Sequence, residues 1–487
     1  MNLLHKLQDP QLVADCQHYF GVRRLADEPS RTPTKKHYYE KQNGGSEFAD
    51  YKYCKQREFS AESSCGSGEL MDRFLGHSGG GGGKCGRQGT ARSRDKTHAR
   101  QGSSASVNSL GSDGEGGKGK SWMAVLLGEN TGGTEGSMDE DNTLSESEAE
   151  EPNYTITNRF WYHLFFFSTA LGGELFYSLF FCFWAWNVDG AVLRRVIMVW
   201  MVTMYIGQAL KDLLKVPRPA CPPVIRLDTK WELEYGLPST HAMVGAAMPF
   251  SIFILSLSRY QLDWGLGLAI ALTWCSCVCV SRIYLGMHSF LDVVCGLVLV
   301  SGLLWAMLPW VDTLDHLALT HPASPLITII LTIAMVVCYP ATDRWTPARG
   351  DTTVIVGVGC GSLLGSWVNY QLGIIREPSL PPPYTVLWPT LNMVGLSLLR
   401  TSLGMVVIVA VRAIFKSLSF ATICALLQVR TEDYVNKSGS LTSRRRLVVE
   451  LFYKFITYIA IGFTVVYTGP MTFRLVGIER PTFYTEV

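Results

Sequence analysis

Three short runs in this chain set cationic, imidazole, hydroxyl and carboxylate side chains at fixed spacing. Lys211 is followed by Arg218-Pro219, then comes Pro238-Ser239-Thr240-His241, and Ser281-Arg282 is followed by His288 and Asp292. Lys211, Arg218 and Arg282 together suit a phosphate dianion, because guanidinium forks match phosphate oxygens and an ammonium adds a point charge. Ser239 and Thr240 stand where the chain enters a helix, so their hydroxyls and backbone N–H groups can face an anion at the positive end of that helix. His288 and Asp292 are spaced i, i+4. On one helical face that spacing lets the carboxylate hold one imidazole nitrogen and leaves the other as a nucleophile. His241 has no carboxylate near it in sequence and is left as the acid that protonates an alkoxide leaving group. Each residue alone has a plainer reading, such as a lysine snorkelling from a span end. Two histidines, one aspartate and three cations together point to phosphoryl transfer.

Such residues can act together only if the elements around them bring them together. After Arg159 long apolar runs alternate with short polar loops, and crossing roughly 30 Å of hydrocarbon takes about 20 mostly apolar residues. Candidate spans are 161–186, 195–214, 241–258, 264–281, 290–310, 325–340, 352–371, 399–416 and 449–468, while 417–429 is too short to count and reads as interfacial. This predicts an all-α, polytopic transmembrane bundle of about eight to ten spans. Lys211 and Arg218 close the second span, Ser239 to His241 open the third, Arg282 closes the fourth, and His288 and Asp292 open the fifth. Helices that alternate in direction bring all of these to one face of the membrane. Trp161, Trp186, Trp310 and Trp388 fall near span ends, as an aromatic belt would. Cys275, Cys277 and Cys279 lie inside one span and read as small buried apolar residues, and no paired CxxC motif suggests zinc.

The stretch before this body is a different polymer. Of the 46 glycines, 23 precede residue 151, whereas 12 of the 13 tryptophans follow it. The glycine tract 79–83 and the acidic run 139–151 cannot bury enough apolar surface to offset the entropy of ordering, so 1–158 is expected to be a disordered arm. Leu3, Leu4, Leu7 and Leu12 could form one short amphipathic helix, with a frayed terminus as the favoured alternative. The body divides into a catalytic core, 159–310, and C-terminal transmembrane helices, 311–487. The net charge of +2 gives no ground for a nucleic-acid partner.

The three runs match KxxxxxxRP, PS[GT]H and SRxxxxxHxxxD, the three-part signature of the type 2 phosphatidic acid phosphatase (PAP2) superfamily. The wording around them, from Glu234-Tyr235-Gly236 through Met243 and from Ser281 to Ser289, resembles the sphingosine-1-phosphate phosphatases, with Thr240 where most lipid phosphatases have glycine. Asp343-Arg344-Trp345 and the run from Arg349 to Thr352 add to the likeness, which covers about residues 150–487. The resemblance implies His288 as the nucleophile that forms a phosphohistidine, Asp292 as its orienting carboxylate and His241 as the acid, then base. It implies a phosphate held by Lys211, Arg218, Ser239, Thr240 and Arg282, with no metal or other cofactor. The implied substrate is a phosphorylated sphingoid base presented from membrane lipid, with the catalytic face in the lumen of the endoplasmic reticulum. Protein partners stay open. Alternatives are a broader lipid phosphate or glucose-6-phosphatase-like phosphatase, and a transporter or receptor that binds a phospholipid without hydrolysing it. The run Arg444-Arg445-Arg446 would lie opposite the catalytic face if 417–429 crosses, which the positive-inside rule makes cytosolic. An Asn153-Tyr154-Thr155 sequon and a Pro381-Pro382-Pro383-Tyr384 segment, either a WW-domain ligand or a rigid loop, complete the motifs.

Overall fold

The computed structural model describes residues 2–25, 154–228, 231–342, 346–375, 381–430, 434 and 443–483. The glycine tract, the acidic run, Asn153 and residues 343–345 lie outside these, and with them nearly all of the expected disordered arm.

The chain opens with α1 (Asn2–Gln8), α2 (Pro10–Tyr19) and β1 (Val22–Arg24). The strand pairs antiparallel with β2 (Tyr154–Ile156), Arg23 opposite Thr155. Then follow α3 (Arg159–Ala170), α4 (Glu174–Asn187), α5 (Gly190–Leu214), α6 (Thr240–Leu257), α7 (Trp264–Tyr284), α8 (Phe290–Thr320), α9 (Ser324–Val337), α10 (Ala348–Gln371), α11 (Leu391–Leu426) and α12 (Ser443–Phe463). A π-helical turn, Thr464–Thr468, leads into α13 (Gly469–Val476). Local sequence starts these helices: Asp189, Ser239, Asp263, Ser289 and Thr390 each cap the first turn with a side-chain oxygen, a contribution of about 1 kcal/mol apiece.

Among the described residues seven helices are long and apolar enough to cross a membrane, and α3 with α4, bent by 60°, makes an eighth as one broken span. The short α9, 14 residues, is apolar but below that length; it carries the chain from the far end of α8 back toward the site end, where α10 begins. The protein is therefore a multi-pass, all-α membrane protein with a crossing number inside the expected range. Helix α8 runs to Thr320 rather than stopping at 310, and 417–429 is not an interfacial piece, since residues to Leu426 continue α11.

The core gathers Trp186, Trp200, Met243, Met248, Val300 and Val356 between α4, α5, α6, α8 and α10. At the end far from the site, Arg194 grips Asp315 through two bonds of 2.5 and 2.9 Å, tying α5 to α8. Helices α10 and α12 run parallel and very close. A Cβ on Gly361 would overlap the Ile459 carbonyl, and one on Gly462 that of Val358, the small-residue packing that substitutes for a hydrophobic drive within lipid.

Four local expectations change. Trp186 is not a belt residue: it is 1% exposed and donates through Nε1 to Val465 O at 2.8 Å, whereas Trp310 and Trp388 are exposed. Of the three α7 cysteines only Cys279 is buried, because α7 turns part of its surface outward. Tyr384 is buried, its N–H donates to Arg259 O and its carbonyl accepts from Gln261 N, so the proline segment is a loop anchored by the tyrosine a WW domain would need. The N-terminus is not frayed either: α2 buries Val13 and Gln17 on the body, while Leu3, Leu4 and Leu12 stay exposed.

Candidate functional site

Capping and helix direction build the site from the residues upward. Lys211 sits in the last turn of α5, Thr240 begins α6, Arg282 closes α7 and Asp292 lies in the first turn of α8. Lys211 Nζ donates to Thr240 Oγ1 at 2.8 Å, joining the first motif to the second. Ser239 N–H donates to Asp292 O at 3.0 Å, joining the second to the third. From the loop after α5, Arg218 reaches across: Nη1 donates to Met287 O at 2.7 Å and lies 3.3 Å from His288 Nε2, while Nε donates to Glu234 O at 2.9 Å. Lys211, Arg218, Ser239, Thr240, Arg282, His288 and Asp292 are all buried.

Two details depart from the sequence reading. His288 is not on the helical face of Asp292; it precedes the N-cap Ser289, and the pair meets because the capping turn folds back. Asp292 Oδ2 accepts from Ser289 N at 2.8 Å, and the imidazole Nδ1 stands 3.7 Å from that same oxygen, near but beyond a hydrogen bond. The backbone N–H of Ser239 is not free for an anion, since Asp292 O holds it, and Ser239 Oγ is the N-cap acceptor for Ala242 N. His241 is half-buried, with its ring edge-on to Trp231 at 6.3 Å and beside Gly172.

The electrostatics favour an incoming anion. Arg282 Nη1 donates to Thr169 Oγ1 at 2.6 Å, yet its Nε and Nη2 are buried with no hydrogen-bond partner among the described residues. Unpaired donors of this kind are costly unless a ligand takes them. Burial, followed by the charges of Arg218, Arg282 and Lys211, holds the His288 imidazole well below its ordinary range, so it is neutral at pH 7 with a lone pair available. Among the described residues no group of three or more His, Cys, Asp or Glu is placed to hold a metal ion.

Sequence reasoning missed two members of this region. Glu234 is buried in the middle of the cations, its Oε2 2.7 Å from Lys211 Nζ and 3.9 Å from Arg218 Nη2. Its closeness to the proline of the second motif was the available signal, but nothing periodic marks it. The other is Gln17, 1% exposed, whose amide donates to Ile225 O and Tyr284 O at 2.6 and 2.9 Å and accepts from Ile225 N at 2.9 Å. It thereby clips the loop after Arg218 to the end of α7. Next to this clip a cleft of about 450 Å³, lined by His5, Asp9, Arg218, Pro219 and Ser289 among others, opens onto the site. Replacing Gln17 with alanine is expected to remove the partner of three backbone groups, one buried and two part-buried, each bond worth about 1 kcal/mol. A fall of about tenfold in kcat/KM and faster proteolysis of the 219–228 loop would register it; unchanged values in both would show that the docking is dispensable.

Residues 192–315 match the PAP2 superfamily. The chain is 40% identical over 344 residues to sphingosine-1-phosphate phosphatase 1 of Mus musculus, spanning 69% of this chain and 77% of that one. It is 38% identical over 333 residues to sphingosine-1-phosphate phosphatase 2 of Homo sapiens, spanning 68% and 82%. A dihydrosphingosine 1-phosphate phosphatase of Schizosaccharomyces pombe is 28% identical over 217 residues, or 42% and 52% of the two chains. No solved structure matches this chain. With that degree of identity over most of both proteins, and with the three motifs meeting around one buried cationic pocket, the chain belongs to the sphingosine-1-phosphate phosphatase family of the PAP2 superfamily.

Proposed function

We propose that this protein is an integral-membrane phosphomonoesterase that hydrolyses sphingosine 1-phosphate and its dihydro form to the sphingoid base and inorganic phosphate. The observation that carries the reading is the pair of unpartnered Arg282 donors beside a buried histidine. Lys211, Arg218 and Arg282 gather the phosphate oxygens, with Ser239 and Thr240 shaping the wall at the start of α6. His288 Nε2 attacks phosphorus, the P–O ester bond breaks, and His241 gives its proton to the leaving alkoxide. His241 then takes a proton from water as the water oxygen attacks the phosphohistidine, which releases phosphate and restores His288. Asp292 stabilises the positive imidazole that forms between the two steps. The three cations supply the charge stabilisation that a divalent metal supplies in other phosphoryl transfers.

The sphingoid substrate rests on the names of the relatives, and a site at the mouths of spans lets a lipid present its head group while its chain stays in the bilayer. The family resemblance supports an endoplasmic reticulum membrane with the catalytic face lumenal. One observation favours the opposite side. Glu450 and Lys454 of α12 lie against Gly350 at the start of α10, and just before α10 Thr346 meets Asp212, next to Lys211. The run Arg444 to Arg446 therefore stands at the catalytic end of the bundle, where the positive-inside rule reads cytosolic. Both ends of the arm, β1 and β2, also pack at that end, close to the residues Gln17 clips.

A single assay on sealed vesicles addresses substrate and side. With EDTA present, sphingosine 1-phosphate should be hydrolysed in preference to phosphatidate and glucose 6-phosphate, and detergent should raise the rate if the site is lumenal. Preference for either competitor would overturn the sphingoid substrate, and loss of activity in chelator would overturn the metal-free mechanism; full activity without detergent would put the site on the outer, cytosolic face.

A further inference from the structure

The carboxylate of Glu234 is out of keeping with a pocket built only for a phosphate dianion. It is 5% exposed and lies against two of the three cations, where a carboxylate repels the ligand those cations collect. Lys211 satisfies its Oε2, but Oε1 is buried with no hydrogen-bond partner among the described residues. The other carboxylates of the region are engaged. Asp292 takes the Ser289 N–H, and Asp212 takes the Tyr339 hydroxyl at 2.8 Å. A buried anion with an open oxygen beside a phosphate site calls for a ligand that brings its own positive charge.

We infer that Glu234 recognises the 2-ammonium group of the sphingoid base, and so makes this site selective for lipid phosphates that carry an amine. This inference rests on the sphingoid reading above and extends it to a residue. The amine of a sphingoid 1-phosphate is three bonds from the ester oxygen, so with the phosphate on Lys211, Arg218 and Arg282 the ammonium comes within reach of a carboxylate touching two of the same cations. Lys211 then turns from the carboxylate to the phosphate, the ammonium replaces it, and the ion pairing of the pocket is conserved. A phosphatidate, having no amine, leaves Glu234 facing the phosphate uncompensated, which disfavours binding without any steric clash.

The test compares sphingosine 1-phosphate with the same molecule lacking its 2-amino group, using the purified full-length chain and the variant Glu234→Gln. The wild type should prefer the amine substrate by about tenfold or more in kcat/KM, the scale of a charge-assisted hydrogen bond. Glu234→Gln should lose most of that preference, falling about tenfold or more on the amine substrate while the desamino one holds level or rises as the repelling charge is removed. Equal losses on both would overturn the inference, because Glu234 would then act only through Lys211. If the variant does not fold, the wild-type ratio decides, and a ratio near one overturns the inference. A ratio near one with slow phosphatidate turnover leaves the sphingoid reading standing, whereas faster phosphatidate turnover than either sphingoid phosphate brings down that reading itself.

Discussion

His288→Ala should abolish hydrolysis, with turnover falling by at least about 10⁴-fold, the order seen when a covalent nucleophile is removed. The imidazole is 1% exposed, its Nε2 faces Arg218 where the phosphate would bind, and its Nδ1 side turns toward Asp292. No other buried side chain of the three motifs is a neutral nitrogen base at that position. Acid-quenched reactions with labelled phosphate should trap a phosphoenzyme in the wild type and none in the variant, while phosphate or vanadate binding persists through the cations. Hydrolysis persisting in His288→Ala would sink the nucleophile assignment. Binding without hydrolysis in the wild type would instead favour a lipid-phosphate receptor. The pH dependence follows from the same surroundings. Because burial and three cations lower the affinity of His288 for a proton, the imidazole stays neutral until the pH is well below about 6.5, its unperturbed value. The acid limb of kcat/KM attributable to the nucleophile should accordingly lie below that pH, and activity should not fall as pH drops from 7.5 to about 6.5 for this reason.

Arg218→Ala should cost about a thousandfold in kcat/KM, or ~4 kcal/mol of transition-state stabilisation, the upper range for losing one preorganised donor to a developing anion. The loss exceeds that of an ordinary phosphate contact because one guanidinium does three things. Nε fixes the Glu234 backbone, Nη1 holds the Met287 carbonyl just before the nucleophile, and Nη1 also faces His288 Nε2. Lysine cannot repeat this, since a single ammonium lacks the fork that addresses separate acceptors; Arg218→Lys should recover less than about tenfold of the deficit. Arg218 is also the largest charge depressing protonation of His288, after burial itself. Its removal should therefore shift the acid limb of the residual activity to higher pH. A residue that only stabilised the fold would lower activity without moving that limb. An unshifted profile would assign Arg218 to structure alone.

How much of this was legible differs residue by residue. Lys211, Arg218, Ser239, Thr240, Arg282 and Asp292 could be placed on one membrane face because a span has a length and consecutive spans reverse direction. That inference needs only hydropathy and order along the chain. The contact between His288 and Asp292 was anticipated for the wrong reason: the i, i+4 spacing suggested a helical face, whereas a capping box brings the two together, since Ser289 and not His288 starts α8. Trp186 looked like a belt residue from its position at a span end, but it is swallowed by α11 and the π turn, elements that arrive more than 200 residues later.

Glu234 and Gln17 lay beyond the reach of local pattern. A glutamate in the polar connection 215–239 reads as solvated, and only the meeting of α5 with that connection shows it buried against Lys211. Gln17 precedes its partners Ile225 and Tyr284 by 208 and 267 residues, and of the apolar residues in the first helices Val13 docks while Leu3, Leu4 and Leu12 stay exposed. The membrane body, the order of its crossings and the chemistry available at one face follow from periodicity, span length and side-chain type, which are local properties. Which donors stay unpaired, which carboxylate lies among the cations and how the N-terminal helices clip the loop after Arg218 depend on close contacts between distant segments that nothing in their own sequence brings together.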